Sequence, residues 1–188
     1  MAKRIKSRYR IQNLVATTSL EVNVPLLKLA RTNPNTEYNP ETFPGLVLHI
    51  SEPKSAVLIF GSGKIVCTGA KNLAEIEKVV QKVIKELKKI GVKVKVKPKL
   101  TIQNIVASGG INIRLNLDQL ALLWENTEYE PEQFPGLVYK IFKPSSTFLL
   151  FTNGKFVCTG TKNKKELKEA IRVLIENLKT LEKQKKKI

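Results

Sequence analysis

The stretch Thr36-Glu37-Tyr38-Asn39-Pro40-Glu41-Thr42-Phe43-Pro44-Gly45-Leu46-Val47 decides how the rest is read. It returns as Thr127-Glu128-Tyr129-Glu130-Pro131-Glu132-Gln133-Phe134-Pro135-Gly136-Leu137-Val138, 91 residues later, from position 36 to position 127. Ile11-Gln12-Asn13-Leu14-Val15-Ala16 returns at the same offset as Ile102-Gln103-Asn104-Ile105-Val106-Ala107. So does Gly63-Lys64-Ile65-Val66-Cys67-Thr68-Gly69, as Gly154-Lys155-Phe156-Val157-Cys158-Thr159-Gly160. Three separated blocks in one register mean two copies of one unit with no net insertion. The period is too long for a solenoid, and two copies suit a pseudo-twofold pair of half-domains. The expected division is residues 1–98, with a basic arm at 1–8, and residues 99–188, with a basic tail at 182–188.

Within each copy the periodicity predicts the same elements. Residues 11–18 read as a strand and 25–32 as a short helix with Pro25 in its first turn. Residues 37–50 read as a Pro-Gly turn and a strand, and 55–60 with 64–69 as a hairpin around Gly61-Ser62-Gly63. Residues 72–90 place Leu73, Ile76, Val79, Val80, Val83, Ile84 and Leu87 at helical spacing. Leu167, Ala170, Ile171, Leu174, Ile175 and Leu178 repeat that helix. Between the copies, Val92, Val94 and Val96 alternate with Lys93, Lys95 and Lys97, a strand pattern with a solvated lysine face. The fold class is α+β, helix-backed antiparallel sheets.

The 188 residues carry 33 Lys and Arg against 16 Asp and Glu, a formal net charge of +17. Such a balance favours a polyanionic partner, nucleic acid ahead of a membrane surface. No apolar run is long enough to span a bilayer, and no signal-peptide core follows the basic N-terminus. Two Cys and one His leave little for a metal site or a disulfide scaffold, so no metal or cofactor is expected. No paired carboxylates or Cys-His pair stand out, which argues against catalysis.

Both faces of the strands are apolar. One face packs on the long helix. The other carries Val15, Leu58, Phe60, Val66 and Thr68, with repeats Val106, Leu149, Phe151, Val157 and Thr159. An antiparallel sheet normally leaves that face polar, so this one covers something. A second layer or a homodimer interface is one reading. A minor-groove floor rimmed by Lys and Arg is the other, and the net charge favours it. Phe43, Phe60, Phe134 and Phe151 form two repeat-related pairs suited to wedging between base steps.

Across roughly residues 9–180, these motifs resemble the TATA-box-binding proteins: Gln-Asn-Leu/Ile-Val-Ala, Glu-Tyr-x-Pro-Glu-x-Phe-Pro-Gly-Leu-Val and Gly-Lys-x-Val-Cys-Thr-Gly, each present twice in order. The resemblance implies a saddle with a curved ten-stranded antiparallel sheet backed by helices, seated on the kinked minor groove of double-stranded A/T-rich promoter DNA. By it, Phe43 with Phe60 and Phe134 with Phe151 are the wedges. Asn13 and Asn104 meet base acceptors beside Thr68 and Thr159. Val15, Val66, Val106, Val157, Leu58 and Leu149 form the floor. Lys64 and Lys155 are expected to hold phosphates, as are His49, where the family usually has arginine, and Lys140. Glu130 and Glu132 match the loop that engages transcription factor B ahead of RNA polymerase. The compact chain resembles archaeal forms, which implies a cytoplasmic, nucleoid-associated protein, or a nuclear one if eukaryotic. A homodimer is the expectation without DNA.

Other readings of the same residues stay open at this level. Phe43 and Phe134 could anchor a loop, Asn13 and Asn104 could be satisfied locally, and Lys64 and Lys155 could solubilise a hairpin. Gly61-Ser62-Gly63-Lys64 lacks the spacing of a phosphate loop. Cys67 and Cys158 read as buried small hydrophobes. Thr147 and Phe148 depart from the family's aliphatic pair. Lys78, Lys82, Lys85, Lys88 and Lys89 read as a solvated helix face. A non-selective architectural DNA-bending protein is the main alternative function.

Overall fold

A computed structural model describes residues 5–185, with side chains through residue 181. The first four residues of the expected basic arm and the side chains of the expected basic tail lie outside that description. The elements run β1 (Ser7–Ser19), α1 (Leu26–Thr32), β2 (Thr36–Glu37), β3 (Gly45–Ile50), β4 (Ser55–Phe60), β5 (Lys64–Thr68), α2 (Leu73–Lys89), β6 (Thr101–Ile111), α3 (Leu117–Leu123), β7 (Thr127–Glu128), β8 (Leu137–Phe142), β9 (Ser145–Leu150), β10 (Lys155–Thr161) and α4 (Lys164–Lys185). The fold is α+β, a ten-stranded sheet with hydrogen-bonding order β2-β3-β4-β5-β1-β6-β10-β9-β8-β7. Two compact units divide the chain: residues 12–103, here the first unit, and residues 1–11 with 104–188, the second.

In the first unit, β2, β3, β4, β5 and β1 pair antiparallel in succession. Buried and more exposed residues alternate throughout β4 and β5. Leu46, Leu48, Val57, Ile59, Ile65 and Cys67 are buried on one face, together with Ile76, Val79, Val83 and Leu87 of α2. Asn72 caps α2: its side chain accepts from Glu75 N at 2.9 Å, and Glu75 Oε2 accepts from Lys71 N at 2.7 Å, a reciprocal capping arrangement. Gly91 ends the helix at φ +88°, with Gly91 N donating to Lys88 O and Val92 N to Leu87 O, both at 3.0 Å. That pair of bonds is the Schellman closure, which a left-handed glycine makes without steric cost.

Two sequence expectations fail in this unit. Residues 92–97 form no strand. The valines are half-buried and the lysines exposed, so the alternation is real, but no neighbouring backbone pairs with it. Alternation reports which side faces the protein; a strand also needs a partner ladder. Leu73, expected on the buried face of α2, is 46% exposed. As the first helical residue, it lies beyond the stripe that covers the sheet.

The second unit repeats the plan, with β7, β8, β9, β10 and β6 paired antiparallel. Asn163 and Glu166 reproduce the cap of α4 at 2.8 Å in both directions. Its core differs by an exchange of volume. Thr18 faces Ile65 across β1 and β5 in the first unit, and Gly109 faces Phe156 across β6 and β10 in the second. A Cβ on Gly109 would lie 2.6 Å from the Phe156 ring and 2.4 Å from Arg8 O. Glycine there makes room for the larger ring, which packs on Phe148 at 5.8 Å. Phe148, unusual against the resembled family, is fully buried and belongs to this core.

Candidate nucleic-acid interface

The strand face opposite the helices is apolar and half-exposed in each unit. In the first, the registers set Val47, Leu58, Val66 and Thr17 side by side across β3, β4, β5 and β1. In the second, Val138, Leu149, Val157 and Ser108 form the matching row. A second row joins His49, Ala56 and Thr68, answered by Lys140, Thr147 and Thr159. Val15 and Val106 share the face by alternation along β1 and β6. The residues singled out from sequence therefore stand together within their own units. Thr17, Ser108, Val47 and Val138 were missed, although alternation combined with the repeat offset contains them.

The phenylalanine pairs are built by the Phe-Pro-Gly turns. Phe43 N donates to Asn39 O at 3.0 Å and Phe134 N to Glu130 O at 2.9 Å. Each turn swings its ring over the following strand. Phe43 meets Phe60 edge-on with centroids 5.9 Å apart, and Phe134 meets Phe151 at 6.0 Å. A Cβ on Gly45 would sit 2.6 Å from Phe43 Cε1, and one on Gly136 equally close to Phe134 Cε1. Only glycine lets the rings come this near. Phe43 is 40% exposed and Phe134 41%, so each pair presents a ring to solvent. Glu130 and Glu132 are exposed in the same turn as Phe134, as Asn39 and Glu41 are beside Phe43.

The asparagines are oriented by the backbone. Gly69 N donates to Asn13 Oδ1 at 2.7 Å, and Gly160 N to Asn104 Oδ1 at 2.8 Å. A backbone N–H only donates, so the amide oxygen must face it. The amide nitrogen then donates to Thr68 Oγ1 at 3.1 Å and to Thr159 Oγ1 at 3.0 Å. Each amide has two hydrogens, and these bonds use one.

The rim carries a feature that sequence reasoning missed. His49 Nε2 lies 3.0 Å from Glu37 Oε1, and Lys140 Nζ lies 2.5 Å from Glu128 Oε1. Strands β2 and β7 supply these acids, and the two pairs are exposed. Lys64 and Lys155 are exposed at the starts of β5 and β10, after Gly63 at φ +81° and Gly154 at φ +80°. Burial pushes the Cys67 thiol up to about 11 and the Cys158 thiol up to about 12, so both are packed hydrophobes. Among the described residues no cluster suited to a metal ion occurs, and no helix is long and apolar enough to cross a membrane.

The family model described as transcription factor TFIID, or TATA-binding protein, matches residues 8–90 and again 99–181. A TATA-box-binding protein of Pyrococcus furiosus is 48% identical over 173 residues, covering 92% of this chain and 91% of the relative. The one from Sulfurisphaera tokodaii is 46% identical and covers 92% and 87%. The solved structure titled Methanococcus jannaschii TBP superimposes with a TM-score of 0.87 at 46% identity, over 92% of this chain and 99% of that one. Twice-repeated motifs, sheet order and these likenesses agree: the chain belongs to the TATA-binding protein family of transcription factors.

Proposed function

We propose that the chain is an archaeal-type general transcription factor that lays the half-exposed face of its sheet in the minor groove of a TATA promoter element. It kinks the DNA with Phe43 and Phe60 from one unit and Phe134 and Phe151 from the other. It then nucleates assembly with transcription factor B and RNA polymerase. Family membership makes it a transcription factor rather than an enzyme. The observation that carries the reading is the apolar row Val47, Leu58, Val66, with its repeat Val138, Leu149, Val157, each flanked by an exposed aromatic pair.

The chemistry follows from the groove. A·T pairs present only acceptors on the minor-groove side, whereas guanine adds an amino donor. An apolar floor tolerates the first and buries the second without a partner, at a cost of about 1–3 kcal/mol. The spare amide hydrogens of Asn13 and Asn104 meet A N3 or T O2. Kinking is the established behaviour of this family in general, and flexible TA steps lower its cost. Lys64, Lys155, His49 and Lys140 face phosphates, and the last two exchange Glu37 and Glu128 for them. The protein works on nucleoid DNA in the cytoplasm, or in the nucleus of a eukaryote. Without DNA, a second copy can cover the same apolar face as a homodimer.

The near-identity of the two copies gives little preference for one direction on a symmetric site. Glu130, whose counterpart in the first copy is Asn39, adds an acid beside Glu132 where transcription factor B would dock. Glu130→Asn should weaken that ternary complex while leaving binary DNA binding intact; a parallel loss of both would remove the assignment. The groove reading is tested by replacing the A·T pairs with inosine·cytosine, which keeps the minor-groove pattern and changes the major groove. Retained affinity supports minor-groove reading. Equal affinity for the inosine and G·C duplexes would favour the non-selective architectural alternative, which the +17 charge alone could sustain.

A further inference from the structure

The two copies differ where the strand ends meet the long helix. In the second unit aromatic rings occupy that place. Trp124, which ends α3, packs on Tyr139 of β8 with ring centroids 4.6 Å apart, and Asn177 of α4 donates to the Tyr139 hydroxyl at 2.8 Å. At the 91-residue offset the first unit has Asn33, Leu48 and Glu86. An open cavity of about 1090 Å³ lies against all three. Asn33 is buried and held in place: its amide nitrogen donates to Glu86 Oε2 at 3.0 Å, and its oxygen accepts from Asn35 N at 2.9 Å.

The walls of this cavity are basic. Lys54, Lys71, Lys82 and Lys85 border it. Lys82 Nζ donates to Glu52 O, which holds it over the β3–β4 hairpin. Among the described residues, Lys54, Lys71 and Lys85 have no carboxylate within ion-pair distance. The lining acid, Glu86, is already engaged, with Oε1 on Lys89 at 2.6 Å and Oε2 on Asn33. In the second unit the counterparts of Lys54, Lys82 and Lys85 are Ser145, Val173 and Glu176. Room and uncompensated positive charge thus arise together, in the copy that lacks the ring pair.

We propose that this cavity binds a small anion with clustered phosphate groups, either an inorganic polyphosphate or a nucleoside triphosphate. Its volume stands at the upper end of the range for small-molecule sites, about 300–1,000 Å³. Like charges around one concavity add their potentials and concentrate a multivalent anion there. A lysine ammonium meets phosphate as a point charge, whereas planar carboxylates favour the arginine fork; among the described residues no arginine lines the cavity. Asn33 has a second amide hydrogen beyond the one given to Glu86, and it stands beside Leu48 where the other copy seats an indole, so the same room accommodates a flat base. The lysines that define the site are none of those assigned to DNA.

The test is calorimetric titration of the full chain with inorganic triphosphate and, separately, with ATP, at one fixed salt concentration. One-to-one binding is expected. Lys54→Ser/Lys85→Glu installs the second copy's residues at two exposed positions and should weaken binding at least about tenfold. Lys93→Ser/Lys95→Glu makes the same change of charge on the exposed segment between the copies and should alter it by no more than about twofold. Asn33→Trp/Leu48→Tyr keeps every lysine but refills the cavity and should abolish binding; a melting curve reports whether that variant folds, and the lysine variants decide if it does not. Tighter binding of ATP than of triphosphate supports the nucleotide form, and equal binding supports recognition of the phosphates alone. No saturable binding of either anion, or equal weakening in the two lysine variants, overturns the proposal. So does displacement of triphosphate by a glutamate-rich peptide at lower concentration, which would make the cavity a docking point for an acidic protein.

Discussion

Truncating Phe43 isolates the wedge from the fold. The ring is 40% exposed and lies edge-on to Phe60 at 5.9 Å. An aromatic side chain has on the order of 200 Å² to bury, so about 80 Å² remains to be covered by bases. At about 25 cal/mol per Å² that is about 2 kcal/mol, roughly a 30-fold loss of affinity for Phe43→Ala. The edge-to-face contact with Phe60 adds about 0.5–1.5 kcal/mol that the free protein also loses, so thermal stability should fall only modestly. The assay is fluorescence titration of a TATA duplex labelled at both ends, reading Kd and end-to-end transfer together, beside a melting curve. Phe43→Leu should recover much of the affinity but less of the bend. Phe43→Ala with unchanged Kd and unchanged bend would refute the wedge assignment. A collapse of the melting transition with loss of all DNA binding would assign the ring to the fold instead.

Other perturbations have separate readouts. Asn104→Ala leaves Gly160 N–H and Thr159 without their partner and removes the base contact; stability should drop by about 1 kcal/mol and A·T-over-G·C preference should shrink, measured by melting and by paired titrations. Lys140→Gln should lower the slope of log K against log salt by about 0.9 if it holds one phosphate, while Glu128→Gln, which frees Lys140, should raise affinity at low salt. The buried thiols make stability pH-dependent in one direction only. Both are raised above the ordinary thiol value of 9.0, to about 11 and about 12, so the folded state holds their protons to higher pH than the unfolded state. The thiols' contribution to stability should be constant below pH 9 and then fall by about 1.4 kcal/mol per pH unit per thiol as pH rises through that window, so Cys67→Ala/Cys158→Ala should flatten that part of the profile in denaturant titrations.

The repeat made most of the fold legible. A 91-residue offset carried the strands read at 11–18, 37–50, 55–60 and 64–69 from one copy to the other, and helical spacing located α2 to within a residue at its start, while the two-residue strands β2 and β7 were not read as strands of their own. The apolar face opposite the helices was legible because alternation with apolar residues on both faces leaves one face to be covered. Residues 92–97 were misread because their alternation has the same period with or without a neighbouring strand. The Glu37–His49 and Glu128–Lys140 pairs were invisible because they join residues 12 apart in sequence through a register that no local pattern encodes. The Thr18–Ile65 to Gly109–Phe156 exchange was hidden for a similar reason: cross-strand volume compensation appears only once the partners are known.

The most direct test of the central claim is bending. A short duplex labelled at both ends, in TATA and G·C-substituted forms, is titrated across a salt series. Unchanged protein is compared with Phe43→Ala/Phe60→Ala and with Phe134→Ala/Phe151→Ala. The account requires a bent complex selective for the TATA duplex, with the bend reduced in either double variant. Equal, salt-sensitive and unbent binding to both duplexes would mean that the +17 charge alone holds DNA, and the apolar face would belong to another partner.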